Sequence, residues 1–243
     1  VSEDVRRKVL SAIKNSNYIP NNSARDLVRT KSDAVGLVVC GVSNPFYTDI
    51  IRAIERTITD AGFTMVMQQI GTCDDEVKCG AVMEREKRLQ GIVFLGGRFD
   101  YTPADLAMLN VPFVCCSYSN RYGTLTEGEY SSVSIADGDT AQQAVEELYR
   151  HGHRRIAALI SRPNDQSISQ LRYEGYVQAL ESHGIPVDPE LVISTGGFGA
   201  KDAYRAVQEK MAENVDFTAL FAIADSMAIG AMRALMDAGR RIP

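Results

Sequence analysis

The 243-residue sequence has little of what marks several classes of protein. No apolar run approaches the roughly 18 residues that span a bilayer, so no membrane partner is expected. The five cysteines, Cys40, Cys73, Cys79, Cys115 and Cys116, are odd in number and contain no C-x-x-C pair. That speaks against a disulfide framework or a zinc cluster and suits a reducing, cytoplasmic compartment. No secretory signal opens the chain, and Val1 is not an initiator methionine, so the native N-terminus is expected upstream. Catalytic signatures are equally scarce. There is no Walker-type loop and no G-x-S-x-G elbow. Gly197-Phe198-Gly199 begins a dinucleotide fingerprint, but Asp202 stands where the third glycine belongs, and the segment reads as a loop. His151 and His153 flank Gly152 and lack the i, i+4 spacing of zinc ligands, which favours a turn. Cys115 and Cys116 lie in an apolar run, where inert core thiols are the default. No metal, no cofactor and no enzymatic activity are expected.

What is present is a globular balance, 45% hydrophobic and 23% charged, on a chain long enough to bury a substantial core. The net charge of −5 hides an asymmetry. Residues 1–32 hold seven basic and three acidic residues, a net +4, and the other 211 residues hold 19 and 28, a net −9. A basic arm on an acidic body suits a polyanion such as nucleic acid, and equally a solvated charged helix. Ser2 with Glu3 and Asp4 reads as a helix start. Val5, Val9, Ala12 and Ile13 then recur at helical spacing up to Asn15. Asn22 to Val28 reads as a two-turn helix too short to hold alone in water.

From Ala34 onward strands and helices alternate. Strands are predicted at 35–40, 64–68, 92–95, 113–116, 155–160, 191–194 and 219–223, with a crossover near 132–135. Helices are predicted at 47–61, 75–88, 102–109, 139–150, 169–182, 200–212 and 227–238. The helix at 139–150 is expected to bury Ala141, Ala144, Val145 and Leu148. Repeated βα units build parallel sheets covered by helices, and this count exceeds one small doubly wound sheet. The expected fold class is therefore α/β with two lobes, 34–137 and 138–243, behind a helical arm, 1–33.

Ligands of open α/β sheets bind beyond the carboxyl ends of the strands. Asn44, Phe46, Tyr47, Arg98, Ser117, Arg172, Phe198 and Asp225 follow such ends and are the candidate ligand-binding residues. Aromatic faces, amides, arginine and aspartate suit a polyhydroxylated molecule. Each residue also has a structural alternative. Asp225 fits a helix N-cap, Arg172 an ion pair, and Phe46 and Tyr47 loop anchors on the core.

Taken in order, these segments resemble one family over essentially the whole chain. Tyr18-Ile19-Pro20-Asn21, Ala24-Arg25, Leu27 and Lys31-Ser32 are similar to the hinge of LacI/GalR-family transcriptional regulators. Asn44-Pro45-Phe46-Tyr47, Gly91-Ile92-Val93, His151-Gly152-His153-Arg154-Arg155, Arg172-Tyr173-Glu174-Gly175-Tyr176 and Ala224-Asp225-Ser226-Met227-Ala228 resemble segments of that family's body. The resemblance implies a homodimer with a helix-turn-helix headpiece, a hinge helix and a periplasmic-binding-protein-like effector body. It assigns Leu27 as a minor-groove wedge, with Asn22, Arg25 and Arg29 as operator DNA contacts. It assigns a pocket role to Phe46, Tyr47, Arg172, Phe198 and Asp225, and a small-molecule effector, a sugar ahead of a nucleobase. Ser117 stands where many members have aspartate, and Ala224 where many sugar-binding members have asparagine. Against the family, the chain starts in the last headpiece helix and stops before a further strand, so by itself it should not read sequence in the major groove. A solute-binding protein of a transport system shares the two-lobed fold. That alternative calls for a secretory signal and no basic arm, neither of which fits.

Overall fold

The computed structural model describes residues 2–15, 32–41, 45–71, 74–98, 100–126 and 128–242. The predicted short helix at 22–28, with Asn22, Arg25, Leu27 and Arg29, lies outside the described residues, as do Asn44 and Cys73. In chain order the elements are α1 (Glu3–Asn15), β1 (Ala34–Cys40), α2 (Phe46–Asp60), β2 (Thr64–Ile70), α3 (Glu76–Lys87), β3 (Gly91–Leu95), α4 (Pro103–Leu106), β4 (Phe113–Cys116) and β5 (Ser131–Val133). They continue with α5 (Asp137–Arg150), β6 (Ile156–Ile160), α6 (Ile168–Ser182), β7 (Val192–Ser194), α7 (Ala200–Ala212), β8 (Ala219–Ala222) and α8 (Asp225–Asp237). A 3₁₀ turn at Pro189–Leu191 precedes β7.

The strands form two parallel sheets, one ordered β2-β1-β3-β4-β5 and one ordered β7-β6-β8. The predicted crossover near 132–135 supplies β5, paired to β4 through Cys115↔Ser132. Alternation along the strand explains how β1 is covered on both sides. Leu37 and Val39, fully buried, join Leu95 and meet Ile50, Ile51 and Ile54 of α2. Val38 points the other way into a cluster with Phe94, Val77 and Met83. In the second sheet the central strand β6 is buried along its whole length. It shares one core with Val145 of α5, Tyr176 of α6, Val207 of α7 and Met227 of α8. The two-residue step between β-branched strand positions and the 3.6-residue step of the helices thus meet in the same core.

Several boundaries differ from expectation. Helix α4 stops at Leu106, short of the predicted Leu109. Helices α5 and α8 each begin two residues early, at Asp137 and Asp225. On α5, Ala141 and Val145 are buried one turn apart, whereas Ala144 is exposed. A small apolar side chain carries too little area to decide which face it takes. His151 takes the C-cap of α5, its Nδ1 2.9 Å from the Glu147 carbonyl. It therefore serves the turn, as its spacing suggests.

Helices α5 and α6 pack on each other, as do α7 and α8. Ile168 and Leu171 of α6 also pack against the core of the first sheet, and Tyr122 Oη donates to Glu174 Oε1 at 3.0 Å. Helix α6 thus ties the two sheets together. At its centre Tyr176, fully buried, donates its hydroxyl to the Ile156 carbonyl at 2.8 Å. Tyr176→Phe leaves that carbonyl short of a donor and should lower unfolding free energy by about 1–2 kcal/mol. Urea denaturation reads this directly, and an unchanged midpoint would contradict it.

Candidate functional site

The carboxyl ends of both sheets gather the candidates from separate parts of the chain. Helix α2 starts directly after Pro45, which puts Phe46 and Tyr47 in its first turn at the end of β1. Their rings are tilted at 55° with centroids 5.8 Å apart. Phe46 is 56% exposed, while Tyr47 turns inward to the core formed with Leu37 and Leu95. Burial, with Cys40 next in effect, pushes the Tyr47 phenol up to about 12, and Arg172 opposes the shift. Cys116 and Asp137 also act on it.

The Tyr47 hydroxyl lies against Gly96, where a Cβ would overlap it. Gly96 also has a φ of 67°. Only glycine meets both demands at once, the left-handed backbone and the close approach of a phenol.

Arg172 is the most fully engaged residue of the site. Its Nε donates to Asp137 Oδ1 at 2.9 Å and its Nη2 lies 2.8 Å from the same oxygen. Its Nη1 donates to the Ile223 carbonyl at the end of β8. Asp137 is buried. Burial raises its carboxyl above the ordinary range, and Arg172 pulls it back down through charge and hydrogen bonding. The pair holds the start of α5, the first turns of α6 and the end of β8 together. Sequence reading singled out Arg172 but passed over Asp137, whose only local signal is an acid at a helix start.

The other candidates are held by local contacts of their own. Ser117 follows β4 with a φ of 67°, its N–H donating to the Val133 carbonyl at 2.8 Å. Phe198 packs on the core of the second sheet, and its carbonyl accepts from Ser226 Oγ at 2.6 Å. Asp225 is exposed at the first position of α8, and the N-cap position itself belongs to Ala224. The cap alternative for Asp225 is thereby displaced by one residue. The Arg98 head group is drawn to Asp100, with Nε–Oδ1 at 2.9 Å and Nη2–Oδ2 at 2.8 Å. It lies over the Tyr101 ring, 5.3 Å from its centroid. Arg98 is thus committed to its own loop, and the contacts bring it to none of the other candidates. Cys115 is a core thiol, pushed up to about 11 by burial.

Among the described residues no group of three His, Cys, Asp or Glu side chains could hold a metal ion. Nor is any helix long and apolar enough to cross a membrane. Removing Asp137 strands the Arg172 charge in a half-buried site. Asp137→Ala should destabilise the protein by about 2–3 kcal/mol. Asp137→Asn should recover part of this loss, because its amide oxygen still accepts from Nε. Equal melting temperatures for wild type and the alanine variant would overturn this view of the pair.

The comparisons with known proteins agree with this architecture. Residues 32–243 match the family described as periplasmic binding proteins and sugar binding domain of LacI family. The HTH-type transcriptional regulator MalR of Clostridium butyricum is 38% identical over 247 residues, covering 100% of this chain and 72% of the relative. The HTH-type transcriptional regulator CelR of Thermobifida fusca is 32% identical, with coverage of 100% and 72%. Among solved structures, a transcriptional regulator CelR–cellobiose complex superposes with a TM-score of 0.73 at 30% identity, covering 100% of this chain and 72% of that one. The fold is shared with a Lac repressor dimer bound to operator and an anti-inducer, TM-score 0.79 at 24% identity, with coverage of 100% and 71%. These relatives are named as transcriptional regulators and not as enzymes or transport proteins, and with a family match over nearly nine-tenths of its length this chain belongs to the LacI family.

Proposed function

We propose that this chain is the hinge and effector-binding part of a ligand-responsive transcriptional repressor of operator DNA. Its two lobes, 34–137 and 138–243, close on a small sugar and thereby alter how the hinge docks. The observation that carries the reading is the bonding of Arg172 both to Asp137, which lies just past β5 of the first sheet, and to the Ile223 carbonyl, just past β8 of the second. That is where an α/β fold binds its ligand. A ligand that touches both sides favours the closed arrangement by the difference in its affinity for the two states.

Charge balance supports an uncharged sugar. Arg172 faces Asp137, so it offers directed N–H donors with little net positive field. Asp225 adds an acceptor for neighbouring hydroxyls, and the exposed Phe46 ring suits a C–H sugar face. A cytoplasmic location and a homodimer complete the reading. Ile229, Met232 and Met236, all well exposed along α8, supply an apolar face of the kind a dimer buries.

A thermal-shift panel of neutral sugars, sugar phosphates and nucleosides tests the ligand class, because a specific ligand raises the melting temperature by linkage. A neutral sugar is the expected hit, and Arg172→Ala or Asp225→Ala should weaken it by about tenfold or more. Hits confined to nucleosides, or full affinity in both variants, would refute the assignment.

The DNA arm is tested separately in the full-length regulator. There, Leu27→Ala should weaken operator binding by about tenfold or more, since a lost wedge removes the kink that the hinge exploits. An unchanged affinity across a salt titration would remove Leu27 from that role.

A further inference from the structure

We propose that Glu76, outside the cleft, is a positioning residue that clasps the Gly96-Gly97-Arg98 loop from behind and holds it in place under Tyr47. The proposal rests on the reading that the effector sits against Tyr47.

Glu76 opens α3 and is fully buried, an unusual place for a carboxyl group. Its Oε1 accepts the Arg98 backbone N–H at 2.7 Å. A Cβ at Gly97 would overlap the same oxygen, just as a Cβ at Gly96 would overlap the Tyr47 hydroxyl. Two successive glycines are therefore gripped from opposite sides, by the cleft phenol and by the hidden carboxyl.

The far oxygen of Glu76, Oε2, is buried and couples to the Tyr101 hydroxyl. Neither atom has a hydrogen-bond partner of ordinary length among the described residues. Tyr101 passes the constraint on. Its backbone N–H donates to Asn120 Oδ1 at 2.7 Å, and its carbonyl accepts from Asn120 Nδ2 at 2.9 Å. Asn120 lies in the loop that follows Ser117 and is itself buried. One carboxyl thus braces the loops after β3 and β4 together, and both loops border the cleft. Burial raises the Glu76 carboxyl above its ordinary range, and the Tyr101 hydroxyl and the Arg98 amide oppose the shift. A salt bridge is not the reason for this residue: it forms no ion pair with another described residue, and the nearby Arg98 head group is taken by Asp100.

The test uses the full-length regulator with cellobiose as the probe. Glu76→Met keeps the buried volume but removes both oxygens, whereas Glu76→Gln keeps an acceptor for Arg98 and a donor for Tyr101. Glu76→Met should lose about tenfold or more of the hydrogen-exchange protection at the Arg98 amide and weaken cellobiose by a similar factor. Glu76→Gln should restore both to within about threefold.

A Glu76→Met protein that only melts earlier, with Arg98 protection and cellobiose affinity unchanged, would reduce the residue to core filling and overturn the clasp. So would a Glu76→Gln protein as impaired as Glu76→Met. If wild type fails to bind cellobiose, the choice of sugar fails, and the clasp stands or falls on the Arg98 amide alone. Should Glu76→Met not fold, Gly97→Ala applies the same question from the other side. It should lower cellobiose affinity by pushing the loop off Oε1, and an unchanged affinity would overturn the proposal.

Discussion

Arg172 can stand near the centre of this molecule only because Asp137 stands beside it. A guanidinium removed from water without a partner would cost several kcal/mol, and here one carboxylate oxygen and one backbone carbonyl take its donors. The three groups belong to α6, α5 and β8, so meeting the arginine's needs also fixes how the first helix after the crossover meets the second sheet.

Under the proposed function this structural pair has a further consequence. The donors that face Asp137 and Ile223 are occupied, so the proposed ligand would meet an arginine whose orientation is already set. Pre-organisation of this kind lowers the ordering cost of binding. It also makes ligand contact and lobe packing depend on the same side chain, which is the coupling that an effector-controlled regulator requires.

The first sheet solves a related problem without charge. In the proposed site its loops after β3 and β4 come close to the ligand, yet loops carry few contacts of their own. Glycines at 96 and 97 let a phenol and a buried carboxyl approach the backbone from both sides, and Asn120 couples one loop to the next. Arg98 shows the opposite outcome. Its position after a strand marks it as a ligand residue, but Asp100 lies two residues away and captures its head group.

Much of the fold was legible in order and spacing. The apolar runs at β1 and β6, the Ile50-Ile51-Ile54 stripe on α2 and the Thr102-Pro103 helix start all depend on neighbours a few residues apart, and local physics decides them. The same holds for the strand-end positions of Tyr47, Arg172 and Asp225. What the linear chain could not determine was which groups meet across it: Asp137 with Arg172 from 35 residues away, Glu76 with Arg98 from 22, and Asn120 with Tyr101 from 19. Nor could it show that Ala144 faces solvent. Such contacts depend on how two sheets and their helices pack, and burial then selects partners by satisfying every buried charge and N–H. By itself the sequence determined the elements, their order and the side of each sheet where a ligand belongs. Only the tertiary structure decided which side chains hold the site in place, because distance in space and distance along the chain are set by different forces.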